Sequence, residues 1–197
     1  ASSHATASTI EVAAGGTVRV DDHFKPAAKV AGRVTEAKTR RPVSGSCATL
    51  LPLTGTDTGE EFGSGCADET GAYELTASAE GPFLVLFTDP SGRFAPEYSG
   101  GATTAAKAKA VTVVAGRTTT ASAALDVGAV LTGRVIDSAT ATGIADVCPS
   151  AHTARTWDWL PGTVTRCSGE DGTYRIGGLT ADPVSMLLTP GWQSGLA

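Results

Sequence analysis

Asparagine is missing from all 197 residues of the chain, which excludes N-linked glycosylation. Histidine occurs three times and methionine once. None of His4, His23 and His152 stands in a G-x-S-x-G or H-E-x-x-H frame, and none recurs in the internal repeat described below. His23 beside Asp21 and Asp22 reads as a solvated polar turn, and His152 makes a triad with Asp158 and a serine only if unrelated loops converge. Gly63-Ser64-Gly65 lacks the lysine and following helix of a phosphate loop. The carboxylate pairs Glu60-Glu61 and Glu170-Asp171 fall where turns are expected. No catalytic residue, metal ligand or cofactor is therefore assigned. The net charge is −5 and the 15 basic residues are scattered, so nucleic acid is not an expected partner. No apolar run is long enough to span a bilayer, so neither is a membrane.

What the chain does have is itself, twice. Residues 10–96 lie over residues 111–197 with no gap (111 − 10 = 101), and about a fifth of the pairs are identical. Gly15 falls on Gly116, Gly32-Arg33-Val34 on Gly133-Arg134-Val135, Gly71 on Gly172 and Tyr73 on Tyr174. A fixed period in a chain of this size means one domain used twice. Each unit is small, and a small unit needs a staple. Cys47 and Cys66 recur as Cys148 and Cys167. Of the three possible pairings the duplication selects 47–66 with 148–167. Each closure contributes about 3 kcal/mol through the unfolded chain. Zinc would need C-x-x-C or clustered Cys and His, which the sequence lacks. Disulfides imply an oxidising, extracellular location. The opening Ala1-Ser2-Ser3-His4-Ala5 reads as a mature terminus left by signal removal.

The segments are short, β-branched and alternating, with Gly, Pro, Asp or Thr every 8 to 12 residues, as in all-β sandwiches. Strands are expected at 29–35, within 42–53, and at 131–137. The clearest hairpin signals are Glu69-Thr70-Gly71-Ala72-Tyr73 and Glu170-Asp171-Gly172-Thr173-Tyr174. Residues 82–88 and 183–189 are nearly continuous apolar runs suited to central, buried strands. Residues 100–109 read as a flexible loop or linker, and 110–125 as two extended stretches about a turn at Ala115-Gly116-Arg117.

The order G-R-V-x-(D/E), polar turn, strand, D-G-x-Y-x-(L/I), apolar strand, V-x-V-x-x-G-x-T resembles the carboxypeptidase regulatory-like domains, relatives of the transthyretin-like and Cna-B-type sandwiches. The resemblance implies two tandem prealbumin-like, immunoglobulin-like sandwiches serving as accessory or stalk elements of a secreted protein. Some Cna-B relatives carry a Lys–Asn isopeptide bond. This chain cannot form one, having no asparagine and, in its second unit, no lysine after Lys109.

In that family the strand written here as 111–125 closes a domain. The repeat register brings Ala197 opposite Pro96, before a second copy of that strand is reached. An orphan copy, Ile10-Glu11-Val12-Ala13-Ala14-Gly15-Gly16-Thr17-Val18-Arg19-Val20, stands instead at the front. Three placements are open. Each unit begins with this strand; or the front strand closes the second unit of its own chain; or Ile10, Val12, Val18 and Val20 pair with another protein, while the second unit accepts a strand in return. The division expected is 1–24, an extension with an orphan β-strand; 25–125, the first sandwich; and 126–197, the second, without its usual last strand.

Between the cysteines of the second unit lies His152-Thr153-Ala154-Arg155-Thr156-Trp157-Asp158-Trp159, where the first unit has small polar residues. Arg155, Trp157 and Trp159 are of the types that anchor protein interfaces. They also suit stacking on sugar rings, and one Trp could instead cap the sandwich core. Trp192 could likewise seal the second unit. The expected function is a non-catalytic secreted adaptor joining other secreted proteins of a hetero-oligomeric assembly. Its plan resembles that of a small connector in the umbrella-shaped toxin particles of actinobacteria. The alternatives are a carbohydrate- or wall-binding module and an accessory fragment of a larger secreted enzyme.

Overall fold

The computed structural model describes residues 10–21, 26–53, 62–155 and 157–191. Among them there is no α-helix, and the architecture is two tandem β-sandwiches joined end to end. The first contains β1 (Ala28–Glu36), β2 (Cys47–Leu51), β3 (Ser64–Cys66), β4 (Ala72–Ala77), β5 (Gly81–Thr88), β6 (Glu97–Tyr98), β7 (Val111–Val113), β8 (Thr118–Thr120) and β9 (Ala123–Leu125). The second contains β10 (Ala129–Arg134), β11 (Val147–Thr153), β12 (Val164–Arg166), β13 (Thr173–Leu179) and β14 (Val184–Pro190).

One layer of the first sandwich sets β1 between β4, antiparallel, and the parallel pair β8 and β9. The other layer runs β3, β2, β5, with β6 and β7 both on β5. Alternation does the work: Val30 and Val34 of β1 point inward with no exposed surface, as do Val85 and Phe87 of β5. They meet Leu50, Tyr73, Leu75, Val113 and Leu125 in one core. Segment 111–125 is thus built into the first sandwich and does not open the second. In the second sandwich β10 pairs only with β13, which also carries β12, and β11 pairs with β14. Its buried core is Ala151, Ile176 and Leu179.

Both disulfides form as Cys47–Cys66 and Cys148–Cys167, with Cα separations of 3.9 and 4.0 Å. The two hairpin turns are held by carboxylates. Asp68 accepts from the Thr70 hydroxyl and from the N–H groups of Thr70 and Ala72, which keeps its carboxyl below the ordinary value. Asp171 does the same with the Thr173 hydroxyl and N–H.

Residues 100–109 are not a free linker. Together with Tyr98 they fold over the outer face of β2 and β5, where Tyr98 and Ala102 bury Leu51, Leu84 and Leu86 in a second apolar cluster. The Ser99 hydroxyl donates to the Lys109 carbonyl at 2.7 Å and pins the flap. The joint between sandwiches is also ordered. The N–H of Ala95 donates to Asp126, that of Gly128 to Arg93, and Phe94 bridges Val127. Asp89 organises this loop from a buried position, accepting from Ser91, Arg93 and Phe94 N–H groups and from the Ser91 hydroxyl.

Candidate interaction surfaces

The front segment is exposed and makes no strand. Ile10, Val12, Val18 and Val20 retain 49, 63, 47 and 59% of their surface, although two-fold alternation would hide one face of a paired strand. The backbone turns at 13–16, where the Gly16 N–H donates to the Ala13 carbonyl at 2.9 Å. Residues 10–20 are not in a strand in the isolated chain, and no ladder joins residues 10–21 to either sandwich among the described residues. A strand without a partner leaves its N–H and C=O groups to water and has no face to bury, so irregular backbone wins. The ion pair of Arg19 with Asp21, at 2.9 Å, is exposed to solvent and contributes little.

The second surface is the edge of the second sandwich. The run 183–189, expected to be central and buried, is half open: Leu187 and Leu188 of β14 are 46 and 37% exposed, whereas Leu86 and Phe87 at the same repeat positions are 7 and 0%. Among the described residues no strand lies on β14 on the side that β6 and β7 take on β5. On β10, Val130 is 49% exposed, at the outward-facing position that Lys29 takes on β1. Beside it lies an open cavity of about 480 Å³ lined by residues 129–132, 179–182 and Val184. No residue pattern signals this cavity, because burial depends on which strand stands next door.

The third surface is aromatic. Alternation along β11 turns Ala151 into the core and Ser150 and His152 outward. Beyond β11 the chain loops and returns at Trp159, which bridges His152. The His152 ring stacks on Trp157, with centroids 4.8 Å apart and planes within 2°, and meets Trp159 edge-on at 5.5 Å. Both tryptophans keep more than half their surface exposed, so neither caps the core, and Arg155 is exposed beside them. Trp157 holds a left-handed backbone, φ 58°, a conformation that costs a bulky residue energy.

His152 also brings its Nε2 to 3.0 Å from the Ser150 hydroxyl. A nucleophilic serine needs a third group that orients the imidazole through its other nitrogen. Here Nδ1 is buried and has no hydrogen-bond partner, and Asp158 is not on it. His4, Asp22, His23, Glu60, Glu61, Thr156 and Trp192 lie outside the described residues. Among the described residues no three His, Cys, Asp or Glu side chains gather as a metal site, and no helix is long and apolar enough to cross a membrane.

Solved structures similar to the chain share little sequence identity with it. The Bacillus anthracis TIE protein gives a TM-score of 0.36 at 12% identity, over 84% of this chain and 26% of that one. The Streptococcal ancillary pilin gives 0.33 at 12%, over 85% and 60%. A candidate carbohydrate-binding protein from Bacteroides uniformis gives 0.34 at 13%, over 84% and 80%. The chain thus spans about a quarter of the first and 60% of the second. No family model matches the sequence, and no curated protein matches it.

Proposed function

We propose that the protein is a secreted, non-catalytic structural adaptor that links other secreted proteins in an extracellular assembly. Residues 1–24 are the partner-seeking extension, 25–125 the rigid framework, and 126–197 a second framework that presents the aromatic loop. The observation that carries this reading is the front segment. Its pattern is that of 111–121, which is built into a sheet, yet Ile10, Val12, Val18 and Val20 stand exposed without strand partners. Exposed apolar residues alternating along a chain favour strand addition to another protein. Two disulfides favour an oxidising compartment. The ordered joint between sandwiches suits a spacer that holds its partners at a fixed separation. The finer setting we infer is a toxin particle of the umbrella type from an actinobacterium.

The test is affinity isolation from the culture medium of the native producer, using the full chain and a chain lacking residues 1–24. A stoichiometric complex with other secreted proteins, lost on deletion, is expected. A complex that survives the deletion unchanged would sink the strand-donor role.

The exposed Trp157 and Trp159 favour a second reading, a carbohydrate- or wall-binding module. Retention on insoluble polysaccharide, abolished by Trp157→Ala and Trp159→Ala, would establish it and remove the loop from the protein interface.

A further inference from the structure

We infer that the outer face of the β10–β13–β12 sheet docks a short acidic segment of a partner protein, whose carboxylates the guanidinium groups of Arg166 and Arg175 receive. This deepens the adaptor reading and rests on it for the existence of a partner.

Strand register brings the two arginines together. β12 and β13 are antiparallel, and Arg166 stands directly opposite Arg175. Ile176 fills the core, so alternation turns Arg175, and Arg166 with it, to the outer face. Directly opposed β-carbons lie about 5 Å apart, where like charges destabilise a sheet. Arg134 of β10 shares the face, paired with Thr173 two positions along β13 from Arg175. Its Nε donates to the Asp171 carbonyl at 2.6 Å. Among the described residues Arg166 and Arg175 have no hydrogen-bond or ion-pair partner. The paired positions around them are Thr132, Val164, Thr173 and Gly177, none of them acidic, and the Asp171 carboxylate in the adjoining turn is engaged by Thr173. Arg175 is half-buried and lies along its strand: a β-carbon on Gly177 would meet its guanidinium and the Gly92 carbonyl, each at 2.5 Å.

The first sandwich shows the same face with its charges balanced. Subtracting 101 turns Arg175 into Glu74, Arg166 into Gly65, Arg134 into Arg33 and Val130 into Lys29. There Lys29 donates to Glu74 at 2.5 Å. The fold therefore does not require an opposed arginine pair. Nor does exposure of this face depend on residues 111–125: with that segment in place, the Lys29 and Glu74 side chains are still 42 and 54% exposed.

The chemistry of the pair selects the occupant. Guanidinium forks match oxyanions in paired, charge-assisted bonds. A patch of three cations on a chain of net charge −5 disfavours a long polyanion. Alternate residues of an extended peptide repeat every ~7 Å, close to the diagonal from Arg175 to Arg134. A short segment with acidic residues at alternate positions fits both.

The probe is a dye-labelled short peptide of alternating glutamate and serine, titrated by fluorescence anisotropy into the full-length, disulfide-bonded chain at low salt. The native protein is compared with Arg166→Glu and with Arg117→Glu, which makes the same charge change at an exposed turn of the first sandwich. Saturable, salt-weakened binding is expected, about tenfold weaker in Arg166→Glu and unaltered in Arg117→Glu. Urea unfolding without peptide gives a second reading. Arg166→Glu exchanges a repulsive pair for an attractive one, so its midpoint should rise. Absence of binding overturns the surface, and so does equal loss in both variants, because net charge alone is then sensed. A lowered midpoint overturns it as well, since Arg166 then serves the fold. Tighter binding of a polyphosphate of matched charge removes the acidic segment as occupant. Each of these failures leaves the adaptor reading to the deletion of residues 1–24, which does not touch this face.

Discussion

The Tyr73 hydroxyl donates to the carbonyl of Ala121 at 2.7 Å, and that same carbonyl lies where a β-carbon on Gly32 would stand. One tyrosine and one glycine therefore lock the closing segment onto β1. Burial pushes the Tyr73 phenol well above its ordinary pKa, so it remains a donor throughout the working range of pH. In the second sandwich no closing segment lies on β10 among the described residues, and the Tyr174 side chain itself lies against Gly133. The repeat positions are conserved within the chain, but their contacts are not.

Gly32→Ala should accordingly cost about 3 kcal/mol, because the added carbon meets backbone that cannot move without unseating the segment. Gly133→Ala meets only the far end of the Tyr174 side chain and should cost about 1 kcal/mol or less. Tyr73→Phe removes one hydrogen bond and leaves the buried Ala121 carbonyl short of a donor, costing about 1–2 kcal/mol. Urea unfolding of the three variants checks the order. Equal losses at Gly32 and Gly133 would mean that the second sandwich is closed in solution as the first is.

The two disulfides close loops of the same separation, 19 residues, so each restricts the unfolded chain equally, by about 3 kcal/mol. The cores they support are unequal: among the described residues eighteen buried residues cluster in the main core of the first sandwich and three in the second. Paired Cys148→Ser and Cys167→Ser changes should therefore unfold the second sandwich at a temperature where Cys47→Ser and Cys66→Ser leave the first one folded. Amide exchange at Ile176 and Val85 under each condition distinguishes the two.

Much of this was legible in the sequence, for identifiable reasons. The repeat, the cysteine pairs and the G-x-Y hairpins are set by local spacing, and β1, β4 and β13 follow from alternation and turn residues. Burial of 183–189 was not legible, because an apolar strand is buried only where neighbours cover it, and among the described residues β14 pairs with β11 alone. That the loop 100–109 packs as a flap was not legible, because its composition is small and polar. Its signal was Ala102, Ala105 and Ala108 at three-residue spacing after Tyr98, enough to cover Leu84 and Leu86. The aromatic loop was visible as a concentration of rare residues, but the left-handed Trp157 and its stack on His152 are three-dimensional facts.

Asp89 should make the joint sensitive to acid. Burial opposes its ionisation, but the Ser91 hydroxyl and the N–H groups of Ser91, Phe94 and Arg93 outweigh it and hold the carboxyl below 3.8. A carboxylate whose folded pKa is depressed contributes stability that is present above the unfolded value and lost as pH falls through the folded one. Asp89→Asn should cost about 2 kcal/mol at neutral pH, through lost charge-assisted bonds. The difference between the two proteins should shrink as pH falls below about 3.8. The local readout is exchange of the Gly128 amide, which is bonded to Arg93 across the joint. A difference that is constant with pH would show that the carboxylate charge does not organise the loop.

Trp157 separates stability from binding. Its left-handed backbone, φ 58°, costs an L-residue about 1 kcal/mol that glycine does not incur, while its stack on His152 returns a similar amount. Trp157→Ala loses the stack and keeps the strain; Trp157→Gly loses both. The glycine variant should therefore be more stable than the alanine variant by about 1 kcal/mol and close to the native chain. Both should fail equally in capturing the loop's partner, whether that partner is a protein or a polysaccharide, because the exposed indole is absent from each. A glycine variant that keeps full binding would show that the strained tryptophan serves the fold of the loop alone. A native-like midpoint with binding lost identifies Trp157 as a residue held in a costly conformation for contact with another molecule.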